Sequence, residues 1–223
     1  MLNNKVSLGK LSLNKCNMGS LLIEGGRPLH GQITVQGAKN ATTPIVAACL
    51  LTKEAVRLNN VPQIADVDKM LKLLEGLGAK VSRENQSVTI EAKDISAAKL
   101  DRTLVRSMRS SVLMFGPLLS RFGEVSLPEP GGCIIGNRPL SAHFVGLQQL
   151  GAKVEQINDS YLLQAKSLQG ARIVLPEFSV TATENIIMAA VLAKGVTVIE
   201  LAAAEPHVQD LCNFLNKLGA DIT

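Results

Sequence analysis

One five-residue motif recurs three times, and this repetition most limits the folds that the chain can adopt. The motif is Leu-Gly-Ala followed by a polar and a β-branched residue, at 77–81, 150–154 and 218–222. Glycine just after a helix commonly ends it, and a β-branched residue after the glycine opens a strand. Three copies of one junction predict three structural units, because a single repeat cannot bury its apolar face alone.

Each copy of the motif ends an amphipathic helix, and a more apolar helix and a short strand precede that helix. The three apolar helices are predicted at 41–51, 110–119 and 183–193. The strands that follow them are predicted at 55–58, 124–127 and 196–201. The amphipathic helices are predicted at 67–77, 143–150 and 208–218. Hairpins then turn near 84–87 and 158–159 and return as strands at 88–90 and 161–163.

The third unit has no returning strand before Thr223. We therefore expect an α/β domain of three strand–helix repeats, the third of them incomplete, in a chain that has been cut short. The alternative is a natural stop, with a partner chain that supplies the strand. Residues 1–20 are expected to be a weakly structured extension. Residues 21–37 are expected to contain short strands, with Ile33 and Val35 on one half-buried face.

Composition excludes several classes of function. The chain has 223 residues, of which 46% are hydrophobic and 19% charged, and this is typical of a globular protein. A net charge of +4, a single tyrosine and no tryptophan give no platform for nucleic acid. No apolar run is long enough for a bilayer. The four cysteines form no CxxC pair, so we expect no zinc or other metal site, and we expect no cofactor. The N-terminus has no signal-peptide core, so we expect a reduced, cytoplasmic protein. The oligomeric state is left open.

A glycine-rich loop at 130–139 carries one thiol, Cys133, and one guanidinium, Arg138. Its glycines let a ligand approach the main chain closely. A nearby cation lowers the pKa of a thiol, which then exchanges protons or attacks carbon near neutral pH. From the residues alone, a surface turn with an incidental cysteine is an equally good interpretation.

Further polar residues are predicted at helix starts. Lys39 and Asn40 precede the first apolar helix. Asn40 would be its N-cap, and a lysine beside a helix start favours an anion site. The alternative is an ordinary capped helix with a solvated lysine. Arg109 precedes the second apolar helix and suits phosphate or carboxylate, whereas Arg106 is interpreted as a surface residue. His143 is interpreted as a surface histidine. In the third unit, Ser179, Val180 and Thr181 hold the matching position, and Thr183 is a candidate helix cap.

Four short motifs in the chain together resemble the enolpyruvyl transferase family, and within it the enzymes that act on UDP-N-acetylglucosamine. They are Gly-Ala-Lys-Asn at 37–40, Met-Arg-Ser-Ser at 108–111, Pro-Gly-Gly-Cys at 130–133 with Gly-Asn-Arg-Pro at 136–139, and Ala-Glu-Pro at 204–206. The resemblance runs from about residue 21 to residue 223. It implies an inside-out α/β barrel fold of two domains, each with three strand–helix units. Residues 38–223 would form the domain with the cysteine loop, and residues 21–37 would belong to the second domain.

The resemblance also implies an activity, which is transfer of the enolpyruvyl group of phosphoenolpyruvate to the 3′-hydroxyl of UDP-N-acetylglucosamine, in peptidoglycan synthesis. Cys133 matches the general acid that also forms a covalent adduct. Matches to phosphoenolpyruvate contacts are found at Lys39, Asn40 and Arg138. Matches to UDP-sugar contacts are found at Arg109, Arg138, Pro139, Leu140, Ser179 and Val180.

The sequence departs from the family pattern at Ser141, Thr181 and Ala204, where aspartate, glycine and a basic residue are common. The family's catalytic aspartate and a further arginine would lie beyond Thr223, so we expect the isolated chain to lack activity. Two alternatives are a non-catalytic UDP-sugar-binding remnant and, less favoured, transfer to shikimate 3-phosphate, a branch that does not use such a thiol.

Overall fold

The computed structural model describes residues 26, 28, 30–132 and 139–223. The predicted site residues Cys133 and Arg138, the extension 1–20 and part of the segment 21–37 lie outside the described residues. The chain divides into two compact units, Met1–Thr34 and Val35–Thr223. All helices and strands given below belong to the second of these.

The first repeat closes a three-stranded antiparallel sheet with its returning strand in the middle. Its elements are α1 (Lys39–Ala48), a 3-10 turn (Cys49–Leu51), β1 (Ala55–Leu58), α2 (Ala65–Leu77), β2 (Lys80–Glu84) and β3 (Ser87–Glu91). The strand order is β1-β3-β2, and Ile90 of β3 stands opposite both Val56 and Val81. Val88 and Ile90 are fully buried because their side chains alternate onto the helical face of the sheet.

The second repeat follows the same plan. Its elements are two 3-10 turns (Ala97–Lys99 and Arg109–Met114), α3 (Arg102–Arg106), α4 (Phe115–Phe122), β4 (Glu124–Pro128), α5 (Ser141–Gln149), β5 (Lys153–Ile157) and β6 (Ser160–Gln164). The order β4-β6-β5 again has the returning strand in the middle. The helices α2 and α5 are both followed by glycines with positive φ, Gly78 and Gly151, as the repeated motif predicts.

The third repeat differs in its sheet. Its elements are β7 (Arg172–Val174), α6 (Val180–Ala190), β8 (Val198–Glu200) and α7 (Pro206–Lys217). β8 pairs in parallel with β7. Residues 195–199 and 220–223 hold the positions of the two outer strands in the first two units, which are β1 and β2 in the first and β4 and β5 in the second. A cavity of about 470 Å³ lies between these two segments. Within the described part of the chain, no strand pairs with the other edge of β8.

The core lies where the apolar helices of the three units meet. Val46 of α1, Leu118 of α4 and Met188 of α6 are all 0% exposed. α6 packs against α4 and α5, and α1 packs against α2 and α7. The predicted α/β domain with three repeats is thereby confirmed. Among the helices that the structure describes, none has the length and apolar character needed to cross a bilayer.

Two predictions about residues 33–40 are wrong. α1 begins at Lys39, with Ala38 at the N-cap, so Asn40 lies inside the helix. The N–H of Thr42 already bonds to the carbonyl of Ala38 at 3.0 Å, which starts the first turn earlier than the polar residues suggested. The predicted strand face at Ile33 and Val35 does not form, because no partner strand is present among the described residues and both side chains are exposed.

Candidate functional site

One cleft of about 830 Å³ collects most of the polar residues that the sequence singled out. Five helices begin at its wall: α1 contributes Lys39, α2 Asp66, α5 His143, α6 Val180 and α7 His207. Helix starts carry unpaired N–H groups and a partial positive charge, and both favour anions. The repeated fold therefore brings the starts of these five helices to one place, and at α2 the lining residue is the carboxylate Asp66.

The cleft is defined here by its lining residues. They are Lys39, Asn40, Thr43, Asp66, Ser107, Met108, Arg109, Ser110, Leu113, Gly132, Pro139, His143, Glu177, Phe178, Ser179, Val180, Thr181, Glu184 and His207.

Lys39, the first residue of α1, places a positive charge on the cleft wall. Its Nζ lies 3.1 Å from Oδ2 of Asp66, at the start of α2, and both side chains remain about half exposed. An exposed ion pair contributes little to stability, and an anionic ligand can compete for the ammonium group. The pair therefore holds Lys39 over the cleft without burying its charge.

Gly131 and Gly132 lie very close to the backbone of Arg106 and Arg109, respectively. A Cβ on Gly131 would lie 1.6 Å from the carbonyl oxygen of Arg106, and one on Gly132 would lie 2.8 Å from the Arg109 nitrogen. Gly132 also has a φ of +105°, which disfavours other residues. The glycines are therefore required for this close approach, and Gly132, the last described residue before Cys133, lies on the cleft wall.

His143 is buried, so its interpretation as a surface histidine is wrong. It is 2% exposed, because α5 packs against α6. Its Nδ1 lies 2.9 Å from Asn185 Nδ2, and its Nε2 lies 3.1 Å from the Thr181 hydroxyl. Burial, and then the charge of Arg109, lower the pKa of His143 to about 3. The ring is therefore neutral at physiological pH and acts in positioning rather than in proton transfer.

Asn185 sets the direction of this hydrogen-bond chain. Its Oδ1 accepts from the Gly116 N–H at 2.8 Å, so its Nδ2 faces and donates to His143 Nδ1. Nε2 of His143 then carries the proton and donates to Thr181. The Thr181 hydroxyl keeps its own proton to donate into the cleft. This arrangement holds a donor where the family often has glycine.

The start of α6 forms a further part of the cleft wall. Ser179 is its N-cap, and its side chain accepts from the N–H of Ala182 at 3.3 Å. Thr183, a candidate cap, lies inside the helix instead. Its hydroxyl donates to the Ser179 carbonyl and accepts from the Ala203 N–H, which ties α6 to the chain before α7. Ser179 and Val180 are thereby held in a fixed conformation at the cleft.

The structure brings six of the nine predicted site residues to this cleft. They are Lys39, Asn40, Arg109, Pro139, Ser179 and Val180. Leu140 lies in the hydrophobic core and is only 5% exposed. Cys133 and Arg138 are outside the described residues. Arg106 pairs with Asp159 at the surface, as its interpretation predicted, and this lowers the pKa of the Asp159 carboxyl.

Sequence reasoning missed two polar residues of α6, Glu184 and Asn185. Both are buried, at 1% and 0% exposure. A signal was available, because the two lie directly before the apolar run from Ile186 to Ala190, within a segment that was predicted as an apolar helix. Polar residues at such positions need partners or a function.

Curated relatives of this chain share one name. UDP-N-acetylglucosamine 1-carboxyvinyltransferase from Borrelia garinii is 49% identical over 205 residues, which are 92% of this chain and 48% of the relative. The protein of that name from Coxiella burnetii is 47% identical over 208 residues, with the same coverage. The chain thus spans about half the length of the curated relatives it matches.

Solved structures show the same fold. The enolpyruvyl transferase NikO from Streptomyces tendae superposes with a TM-score of 0.77, at 23% identity, over 90% of this chain and 47% of its own. EPSP synthase from Acinetobacter baumannii superposes with a TM-score of 0.67, at 19% identity, over 86% of this chain and 44% of its own. The sequence profile of one family matches residues 23–223. The chain therefore belongs to the EPSP synthase (3-phosphoshikimate 1-carboxyvinyltransferase) family.

Proposed function

We propose that the cleft is one half of the active site of an enzyme that transfers the enolpyruvyl group of phosphoenolpyruvate to UDP-N-acetylglucosamine. The observation that carries this proposal is the set of helix starts, with Lys39 and Arg109, around one open cleft. Both substrates are anions with phosphoryl oxygens, which such a cleft suits. Relatives at 47–49% identity that bear the name of this activity support it.

The proposed roles follow the family motifs. Lys39, Asn40 and Arg138 bind phosphoenolpyruvate, and Cys133 acts as general acid and forms a covalent adduct with it. The proposed contacts to the UDP-sugar are Arg109, Arg138, Pro139, Leu140, Ser179 and Val180. Because Leu140 is buried in the core, its contact would be through the main chain.

The proposed reaction has two steps. The sugar hydroxyl forms a C–O bond to the central carbon of phosphoenolpyruvate, loses its proton to a base, and the methylene carbon takes a proton from an acid. Phosphate then leaves as the C–O bond to it breaks, and the methyl group returns a proton to restore the double bond. Cations in the cleft stabilise the phosphate as charge moves onto it.

We extend the proposal to organisation and cellular role. Residues 38–223 form the domain that carries the cysteine loop, and residues 21–37 belong to the second domain of the whole enzyme. The product is an intermediate of peptidoglycan synthesis, made in the cytoplasm. The catalytic base is expected in the part of the relatives that this chain does not cover.

Calorimetry and a phosphate assay test the proposal on the chain itself. We expect binding of UDP-N-acetylglucosamine without phosphate release from phosphoenolpyruvate, because this chain covers only about half of the relatives' length. Absence of binding would contradict the proposed half-site. Steady turnover would contradict the assignment of the base to the uncovered part.

Alkylation by the epoxide fosfomycin should add one molecule at Cys133. The thiolate attacks an epoxide carbon, the C–O bond of the ring breaks, and the oxygen takes a proton. Cys49 provides an internal control, because burial raises the pKa of its thiol to about 12 and leaves it unreactive. Mass spectrometry of wild type and Cys133→Ser locates the adduct. Equal labelling of the two proteins would contradict the proposed role of Cys133.

Two rival functions remain testable with the same protein. The family profile bears the name of the shikimate enzyme, and tighter binding of shikimate 3-phosphate than of UDP-N-acetylglucosamine would favour that activity. A non-catalytic remnant would bind UDP-sugar but take no fosfomycin at Cys133. The glycine-rich cysteine loop favours the UDP-sugar enzyme over both.

A further inference from the structure

Glu184 is a buried acid on the wall of the cleft that no family motif explains. It is 1% exposed and lies one turn after Val180 in α6. Its Oε1 has no hydrogen-bond partner among the described residues. The Ser110 hydroxyl, on the same cleft wall, is also buried and without a hydrogen-bond partner there. Buried polar atoms are nearly always paired, so these two atoms beside one cleft are candidate partners for a ligand; a third unpaired atom, the Thr197 hydroxyl, lies beside the other cavity.

The surroundings of Glu184 favour its neutral form. Burial, and then the negative charge of Glu205, raise the pKa of the Glu184 carboxyl to about 8. Glu205 is the N-cap residue of α7, which packs against α6. The other charged or titratable side chains that line the cleft are Lys39, Asp66, Arg109, His143, Glu177 and His207. Of these, His143 is neutral near pH 7 because its pKa is lowered to about 3.

A neutral carboxyl is the form that suits an anion site. It donates one hydrogen bond, whereas a carboxylate only accepts and would repel a negatively charged ligand. In the neutral form the proton can sit on Oε1, which has no hydrogen-bond partner among the described residues. A carboxylic acid that is kept neutral in order to donate a hydrogen bond is a known catalytic device.

We propose that Glu184 is a ligand-binding residue of the cleft, which donates a hydrogen bond from its neutral carboxyl to a phosphoryl oxygen of the bound anion. The inference rests on the proposed function, because it takes the occupant of the cleft to be a phosphorylated substrate. Two such groups are candidates, the diphosphate of UDP-N-acetylglucosamine and the phosphate of phosphoenolpyruvate.

The test is the pH dependence of affinity, measured by calorimetry for each of these two compounds with wild type and Glu184→Gln. Between pH 7 and pH 9 the neutral fraction of Glu184 falls from about nine-tenths to about one-tenth, so wild-type affinity should fall about tenfold. The amide of the variant donates a hydrogen bond without titrating, and its affinity should change less than about twofold. Glu75→Gln, on the exposed face of α2, is the matched control and should follow wild type.

Thermal denaturation of the same proteins separates binding from folding. Below the ordinary pKa of 4.5 the carboxyl is protonated in both the folded and the unfolded chain. From there to about pH 8 the unfolded chain ionises and the folded chain does not, so stability falls as the pH rises. Glu184→Gln should therefore have a higher Tm than wild type at pH 9.

Each outcome is decisive. Loss of affinity in wild type that the glutamine variant lacks supports the inference, and the compound that shows it identifies the phosphoryl group. Parallel pH profiles in wild type and Glu184→Gln overturn the inference but leave the proposed function in place. Failure of wild type to bind either compound at any pH overturns the proposed function, and this inference with it.

Discussion

Replacement of Asn185 by alanine should lower the free energy of unfolding by about 3–5 kcal/mol. The Asn185 amide is fully buried and joins three elements. Its Nδ2 donates to the Val112 carbonyl and to His143 Nδ1, both at 2.9 Å, and its Oδ1 accepts from the Gly116 N–H at 2.8 Å. Alanine would leave three buried polar groups unpaired, and each such group costs about 1–3 kcal/mol. Urea denaturation measures the change.

Asn216→Ala is the matched control for this prediction. Asn216 also makes two side-chain hydrogen bonds, to the Ile222 carbonyl and N–H, but it is exposed to water in α7. Water replaces its bonds when they are lost, so we expect a change below about 1 kcal/mol. Similar losses in the two variants would contradict the role given to Asn185. Asn185→Ala should also bind the UDP-sugar more weakly than wild type, because Thr181 would no longer be oriented through His143.

Replacement of Gly131 by alanine should slow fosfomycin addition to Cys133 at least tenfold. A methyl group at Gly131 would lie 1.6 Å from the Arg106 carbonyl oxygen, which belongs to the backbone and cannot rotate away. The segment must therefore separate from α3, and Gly132 moves off the cleft wall with it. Displacement of a reacting group by about 1 Å is enough for a hundredfold loss of rate. The rate is measured by mass spectrometry, beside a thermal denaturation.

Gly76→Ala is the control with the opposite expected sign. Gly76 lies within α2, and a Cβ there meets nothing within 4 Å. Alanine is the better helix former, so this variant should be more stable by about 0.5–1 kcal/mol and should react with fosfomycin as wild type does. An unchanged rate in Gly131→Ala would show that close packing against Arg106 does not position the thiol.

The sequence predicts the repeats well because they depend on local patterns. The helix-ending glycines, such as Gly78 and Gly151, and the returning strands β3 and β6 of the hairpins are set by neighbouring residues, and the structure has them where they are expected. The predicted start of a helix is wrong where backbone geometry alone sets that start, as at Lys39 in α1. There the first turn forms without a side-chain cap.

The cleft is predictable in part. Lys39, Arg109 and Ser179 precede helices in the sequence, and the shared plan of the units brings those helix starts together. The burial of His143 and the isolation of Glu184 depend on how α5 and α6 pack, which involves residues far apart in the chain. Such tertiary effects leave no periodic signal. For Glu184, the only sign in the sequence is a pair of polar residues directly before an apolar run.

The outer edge of β8, with which no strand pairs among the described residues, has a consequence for handling the chain. Val196 and Val198, beside that edge, are 82% and 50% exposed. Backbone donors and acceptors next to apolar side chains form a template on which a strand of another molecule adds. We therefore expect concentrated solutions of this polypeptide to self-associate through the third unit, on the side of the 470 Å³ cavity.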